Sequence, residues 1–280
     1  MRAYLQTRDA VAVNSQASRR RFLFGSAAVS AFAVIALLFL SLPLLSLVVR
    51  AVSNRAWENV PGSAIPDAIT LSFITTMFTI TLTALFGTPL AYVLARRRFP
   101  LKKLIGVLVE LPIVLPPAVA GLALLIAFGR RGLLGPTLSA IGVSLPFTSA
   151  AVIMAQTFVA APFFIRSAQV GFQSIPKEVE DAAKVDGAGG LSLFFYITLP
   201  LASRSLGAGM VLCWARAIGE FGATILFAGS LQGRTQTMPL LIYNMIERDI
   251  DAAIWTGLIL IGLALFALLL SRLLSREQSI

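Results

Sequence analysis

Arg216 and Glu220 stand four residues apart inside an otherwise apolar run, the spacing that puts two side chains on one helix face. Either charge alone would cost about 3 kcal/mol at the centre of a bilayer, so both should point into protein and away from lipid. Two readings stay open for them, a structural ion pair and a direct part in a gate or pathway. Gly219 and Gly222, with Thr224 beyond, leave room for close helix contact or backbone access. A second run, Leu111-Pro112-Ile113-Val114-Leu115-Pro116-Pro117, packs three prolines into six positions. Proline withholds a donor and clashes with the preceding turn, so a regular helix is not expected there. Irregular backbone in a membrane must be buried in protein or line a watery cavity. Pro116 and Pro117 are therefore either a packing kink or a pathway element.

Bond-making chemistry has little to work with. The chain has no His and one Cys, which leaves no imidazole triad, zinc site or internal disulfide. No carboxylate cluster falls in the apolar runs, and no phosphate-binding glycine loop ending in Gly-Lys-Ser/Thr is present. No metal, cofactor or catalytic residue is expected. Any energy from ATP must come from a partner.

Those residues need elements to hold them. Hydrophobic residues make up 57% of the chain and charged ones 13%, too few charges to cover a soluble domain. The net charge of +10 is not a nucleic-acid footprint, because the basic residues lie between apolar runs and not along one face. Six runs are long enough to cross the hydrocarbon, near 24–49, 69–95, 104–128, 149–170, 201–229 and 252–270. The expected class is all-α and polytopic, with six transmembrane helices. With the N-terminus inside, sixteen Lys and Arg fall on the inner side and six on the outer, which favours both termini in the cytoplasm. Ser18-Arg19-Arg20-Arg21-Phe22-Leu23 is similar to a twin-arginine export signal, but the apolar run behind it is too long for a cleaved one. An uncleaved first span is expected.

One polar loop separates the fourth and fifth runs. Pro176 sits where a helix can begin, and Glu178, Glu180 and Asp181 suit the positive end of its dipole. Val179, Ala182 and Ala183 form a narrow apolar face, small enough for another surface to approach the backbone. Gly187 is placed to end the helix in a left-handed conformation.

This loop resembles that of binding-protein-dependent ABC importer permeases, Glu-Ala-Ala, three residues, Gly, nine residues, Ile-x-Leu-Pro. Asp181-Ala182-Ala183, Gly187, Ile197, Leu199 and Pro200 keep every spacing, with Asp in place of the first Glu. The resemblance implies a type I importer permease fold over about 66–272, with a coupling loop at 171–200, a separate first helix at 24–49, and tails at 1–23 and 273–280. It implies that Glu180, Asp181, Ala182, Ala183, Gly187, Ile197, Leu199 and Pro200 meet an ATPase subunit, present in two copies. It further implies a second permease copy, an extracytoplasmic substrate-binding protein, no nucleic acid, and a prokaryotic inner membrane. Phe128-Gly129-Arg130-Arg131-Gly132-Leu133-Leu134-Gly135, Arg216-Ala217-Ile218-Gly219-Glu220-Phe221-Gly222-Ala223-Thr224 and Thr235-Gln236-Thr237-Met238-Pro239-Leu240 are similar to the oxyanion branch, nearest to molybdate or tungstate permeases. Sulfate permeases share part of that pattern. Pro116, Pro117, Arg216, Gly219, Glu220, Gly222 and Thr224 are the residues expected near the transport pathway or gate. An ion-coupled carrier would need titratable groups at depth, and besides Glu220 the runs offer almost none; an enzyme or scaffold is weakened by the missing His and carboxylate cluster.

Overall fold

The structure, a computed structural model, describes residues 29–58 and 62–276, with side chains up to residue 266 and at 268 and 269. The tail at 1–23, with its arginine motif, and the last residues of the C-terminal tail lie outside the described residues. The chain divides into two units, Met1–Ala56 and Trp57–Ile280. In the first, α1 (Val29–Ser53) is apolar on every side, with Phe32, Phe39 and Leu40 exposed. A helix hydrophobic all round suits lipid, and its 25 residues reach about 37 Å, enough for the hydrocarbon.

All regular structure described in the second unit is helical. Its frame is α2 (Ala64–Arg96), α3 (Lys102–Val114), α4 (Pro117–Phe128), α5 (Gly135–Ala140), α6 (Ser149–Ser174) and α7 (Lys177–Val185). Then come α8 (Gly190–Ser192), a π-turn (Leu193–Thr198), α9 (Leu199–Ile218), α10 (Gly222–Ala228), α11 (Met238–Ile246) and α12 (Ile250–Arg276).

α2, α6 and α9 pack together through a core of Ala91, Leu94, Ala160, Phe164, Ala168, Phe172, Ala202, Leu206 and Ala217. Small residues dominate because apolar attraction between helices is weak in lipid, so close backbone approach carries the packing. Gly171 and Gly209 sit so near Ser205 and Ser167 that a Cβ would fall 2.4 and 2.9 Å from theirs. The Ser167 hydroxyl donates to the Ser205 carbonyl at 2.7 Å, tying α6 to α9. A second cluster joins α4, α6 and α10, and a third joins the start of α2 to α11 and α12.

Among the described residues, four helices are each long and apolar enough to cross a membrane: α1, α2, α6 and the continuous Gly190–Ile218 stretch. α3 and α4 pass the same test only as a pair, bent by 117°. The prolines explain that bend: Leu115 and Pro116 are extended, and Pro117 opens α4 at the position where a missing N–H is tolerated. The expected fifth run, 201–229, requires correction, since its helix stops at Ile218 and restarts at Gly222. The described apolar part of α12, Ile250–Phe266, is shorter than a full span.

Candidate functional site: the polar helix and the broken helices

Ile175 is extended, the conformation favoured ahead of a proline, and Pro176 sits at the N-cap of α7. Glu178 and Glu180 occupy its first turn and Lys184 its last, matching the helix dipole. At the other end Gly187 has φ +90°. The Ala188 N–H donates to the Ala183 carbonyl at 2.9 Å and the Gly187 N–H to that of Lys184 at 3.0 Å, closing the helix as expected. Asp181 and Lys184 pair at 2.7 Å on the exposed side. That bond holds the Asp181 carboxyl below its ordinary value and raises the Lys184 ammonium above its own.

Glu180 does not join the outward face. It is buried, 2.8 Å from Arg96 in the last turn of α2. The same Arg96 Nη2 donates to the Ile175 carbonyl at 2.9 Å. One guanidinium therefore holds α7 and the end of α6 against α2. Val179 and Ala182 remain exposed, and Ala183 is half-buried. Val185, 87% exposed, extends the apolar stripe by one more i+3 step. Sequence reasoning missed both the clamp and Val185; only the i+3 spacing of Val185 signalled it.

The return into the bundle holds another unforeseen feature. Leu193–Thr198 form a π-turn, in which the Leu199 N–H reaches back to Phe194. Proline in a regular helix clashes with the carbonyl four residues earlier; the wider turn just ahead of Pro200 relieves that contact. The Thr198 hydroxyl donates to the Leu193 carbonyl at 3.2 Å. Phe194 stacks edge-on against Tyr92 at 5.0 Å, and Tyr92 against Phe172 at 5.5 Å. Leu199 packs on the α2–α6–α9 core, Ile197 is half-buried and Pro200 is exposed. The Ile-x-Leu-Pro residues thus root the loop in the bundle.

At the α9–α10 break Arg216 Nη1 lies 2.7 Å from Glu220 Oε2. The other carboxylate oxygen, Oε1, accepts from the Ala223 N–H at 2.7 Å. Glu220 is 1% exposed, so its buried charge is met by a guanidinium on one side and a helix start on the other. The pair forms across a broken helix, not along one. Gly222 sits against Pro117, where a Cβ would come within 2.5 Å of the proline Cβ, and Gly121 sits against the Ala223 backbone at 2.8 Å. The two breaks, Leu115–Pro116 and Gly219–Phe221, are thereby joined at Pro117 and Gly222. The Thr224 side chain is buried with its hydroxyl unpaired, whereas Gly219 and Pro116 are exposed.

Hydroxyls on the buried face of α2 tie it to itself and to its neighbours. Thr76 donates to the Ser72 carbonyl at 2.7 Å and Thr79 to Gln156 at 3.1 Å. Ser72 accepts from the Met238 N–H at 2.8 Å, anchoring the Thr-Gln-Thr-Met-Pro turn.

Apolar helices interrupted at two joined breaks, with a polar helix clamped at one end, define a multi-pass membrane protein. The chain belongs to the family of binding-protein-dependent transport system inner membrane components, whose match covers residues 87–279. It is 45% identical over 188 residues to the molybdenum transport system permease protein ModB of Mycobacterium tuberculosis, covering 67% of this chain and 71% of that one. It is 41% identical over 200 residues to the probable transport system permease protein NifC of Clostridium pasteurianum, covering 71% and 70%. The sulfate transport system permease protein CysW of Synechococcus elongatus is 36% identical over 197 residues, covering 70% and 69%. Among solved structures, a bacterial alginate ABC transporter in complex with a pentasaccharide-bound periplasmic protein shares the fold. There the TM-score is 0.74 at 17% identity, over 93% of this chain and 96% of that one. The MetNI methionine ABC transporter gives 0.59 at 16%, over 85% and 99%.

Proposed function

We propose that this chain is the permease subunit of an ABC importer that carries molybdate inward, with ATP hydrolysed on a separate subunit. In this reading two permease copies, two ATPase subunits and an extracytoplasmic binding protein make the working assembly. Both termini and α7 lie in the cytoplasm, in keeping with the distribution of Lys and Arg. The observation that carries the reading is α7: a short helix with an outward stripe of Val179, Ala182 and Val185, held to α2 by Arg96 and Glu180. A helix so held passes a push to α2 and α6 instead of absorbing it. Asp181, Ala182, Ala183 and Gly187 are the proposed receiving surface, with Glu180 anchoring it and Ile197, Leu199 and Pro200 rooting it. Pro116, Pro117, Arg216, Gly219, Glu220, Gly222 and Thr224 are the proposed gate region, where two broken helices meet and can shift as one. The permease does no chemistry on the anion. Relatives named for molybdenum transport favour molybdate; the CysW relative keeps sulfate as the second reading.

The test is uptake by the assembled complex in proteoliposomes. ATP-dependent molybdate accumulation that needs the binding protein and survives a proton ionophore is the expected result. Accumulation that ignores ATP and collapses with the ionophore overturns the proposal in favour of an ion-coupled carrier. Uptake of sulfate with molybdate excluded moves the substrate alone.

A further inference from the structure

Five cations fall within eight residues where α2 gives way to α3: Arg96, Arg97, Arg98, Lys102 and Lys103. Arg96 is taken up by Glu180, and Lys102 Nζ donates to the Arg97 carbonyl at 3.0 Å. The side chains of Arg97, Arg98 and Lys103 are exposed, and among the described residues none of the three has an ion pair or a hydrogen bond. The turn that carries them is fixed. Phe99 packs on the α2–α6–α9 core, and the Arg97 N–H closes on the Val93 carbonyl at 3.0 Å. Leu101 holds φ +68°, a left-handed conformation that leucine rarely takes. Yet its side chain is 67% exposed, so an apolar group is displayed among three unpaired cations. The same side continues along α3, where Leu104, Val107, Leu108, Leu111 and Val114 follow in steps of three and four and are exposed.

That stripe is about 20 Å long and suits acyl chains. Cations at its end lie at headgroup depth, where Lys and Arg keep their stems in hydrocarbon and reach out to the phosphates. A soluble partner would answer the charge but not the stripe. A second copy in a two-fold pair would present the same patch, and like charges would then face one another. We infer that the α2–α3 turn is a seat for an anionic phospholipid, its phosphate held by Arg97, Arg98 and Lys103 and an acyl chain lying along Leu101, Leu104 and Leu108. The leaflet, the cytoplasmic one, rests on the orientation proposed above; the contact itself does not. The headgroup anchors the end of α2 that carries Arg96.

The test uses the full chain with Cys213→Ala and Leu104→Cys, the new thiol bearing a nitrobenzoxadiazole fluorophore; Val107→Cys is the second reporter. Bilayers of phosphatidylcholine receive a rising share of phosphatidylglycerol, or of phosphatidylcholine, brominated near the headgroup. Both lipids should quench, the anionic one at a lower share. Arg98→Gln should cut that preference about fivefold. Combining Arg97→Gln, Arg98→Gln and Lys103→Gln should abolish it, with quenching by brominated phosphatidylcholine unchanged because the fold is intact. Removing three other cations (Arg130→Gln, Arg131→Gln, Arg234→Gln) should leave it as it was. Equal quenching by the two lipids in the parent, or a preference that survives the 97/98/103 variant, overturns the seat. Quenching by neither lipid shows the stripe covered by protein and overturns it as well. A preference lost when the ATPase subunits join assigns the cations to them. One lost to inorganic phosphate, but not to chloride at equal ionic strength, assigns them to a free anion; either result overturns the lipid contact. ATP-driven molybdate uptake is read in the same bilayers: uptake with equal quenching sinks only this inference, and a headgroup preference without uptake sinks only the function.

Discussion

Arg96 and Glu180 meet at 2.8 Å where the last turn of α2 crosses the first turn of α7. Each side chain is about nine-tenths covered, and Arg96 also holds the Ile175 carbonyl. Removing either partner strands a mostly buried charge, at a cost of about 3 kcal/mol. Arg96→Gln and Glu180→Gln should each lower molybdate uptake while ATP hydrolysis by the complex continues. The double variant should recover part of the loss. Uptake that stays in step with hydrolysis in both single variants would show that the clamp transmits nothing.

Gly187 tests the helix end without the confusion of a clash. A Cβ there meets nothing within 4 Å, yet φ is +90°. Gly187→Ala should cost about 1 kcal/mol through the backbone alone, with Gly187→Asn milder. The measurement is the protease sensitivity of the 171–200 loop in the purified complex. Equal sensitivity in all three proteins contradicts the left-handed cap.

The joined breaks make a steric prediction. Gly222→Ala puts a methyl 2.5 Å from the Pro117 Cβ, an overpacking that should cost about 2 kcal/mol. Thermal unfolding should fall, and uptake should fall further than stability accounts for. Gly219→Ala, with only a carbonyl at 3.8 Å, is the tolerant comparison. If both variants behave alike, the contact between α4 and α10 is not what fixes the breaks.

Glu220→Gln keeps an oxygen for the Ala223 N–H and loses the charge opposite Arg216; Glu220→Ala loses both. The alanine variant should be the less stable of the two in a detergent melting curve. The reverse order would refute the capping role.

Acid and base should act on the outer side of α7 only at the extremes. Asp181 titrates below its ordinary 3.8 because of Lys184, so the stabilisation it adds is complete above that value and fades as pH falls through the depressed one. Lys184 titrates above its ordinary 10.5, so its share is complete below that value and fades as pH rises through the raised one. Between roughly pH 5 and 9 neither group changes charge. Asp181→Asn should therefore leave the shape of the uptake profile over that range unchanged, and a new inflection there would contradict the assignment.

Chain order alone was sufficient for features governed by local backbone rules. Pro176 opens α7, Gly187 ends it, and Pro116 and Pro117 break the third apolar run, because donor loss and the left-handed conformation depend on a few adjacent residues. Apolar runs of membrane length likewise declare themselves, since lipid imposes a length. The partners of the charges did not follow. In the sequence Arg96 and Arg166 are two of sixteen inner-side positive charges, and nothing near Glu110 in the chain offers it a partner; folding pairs Arg96 with Glu180 and Arg166 with Glu110. The helix stop at Ile218 was hidden because Arg216 and Glu220 have helical spacing, whereas Glu220 turns to cap the next helix once α4 brings Pro117 against Gly222. Burial and pairing are properties of which helices lie side by side. Only the packed bundle settles that, through close contacts between residues far apart in the chain.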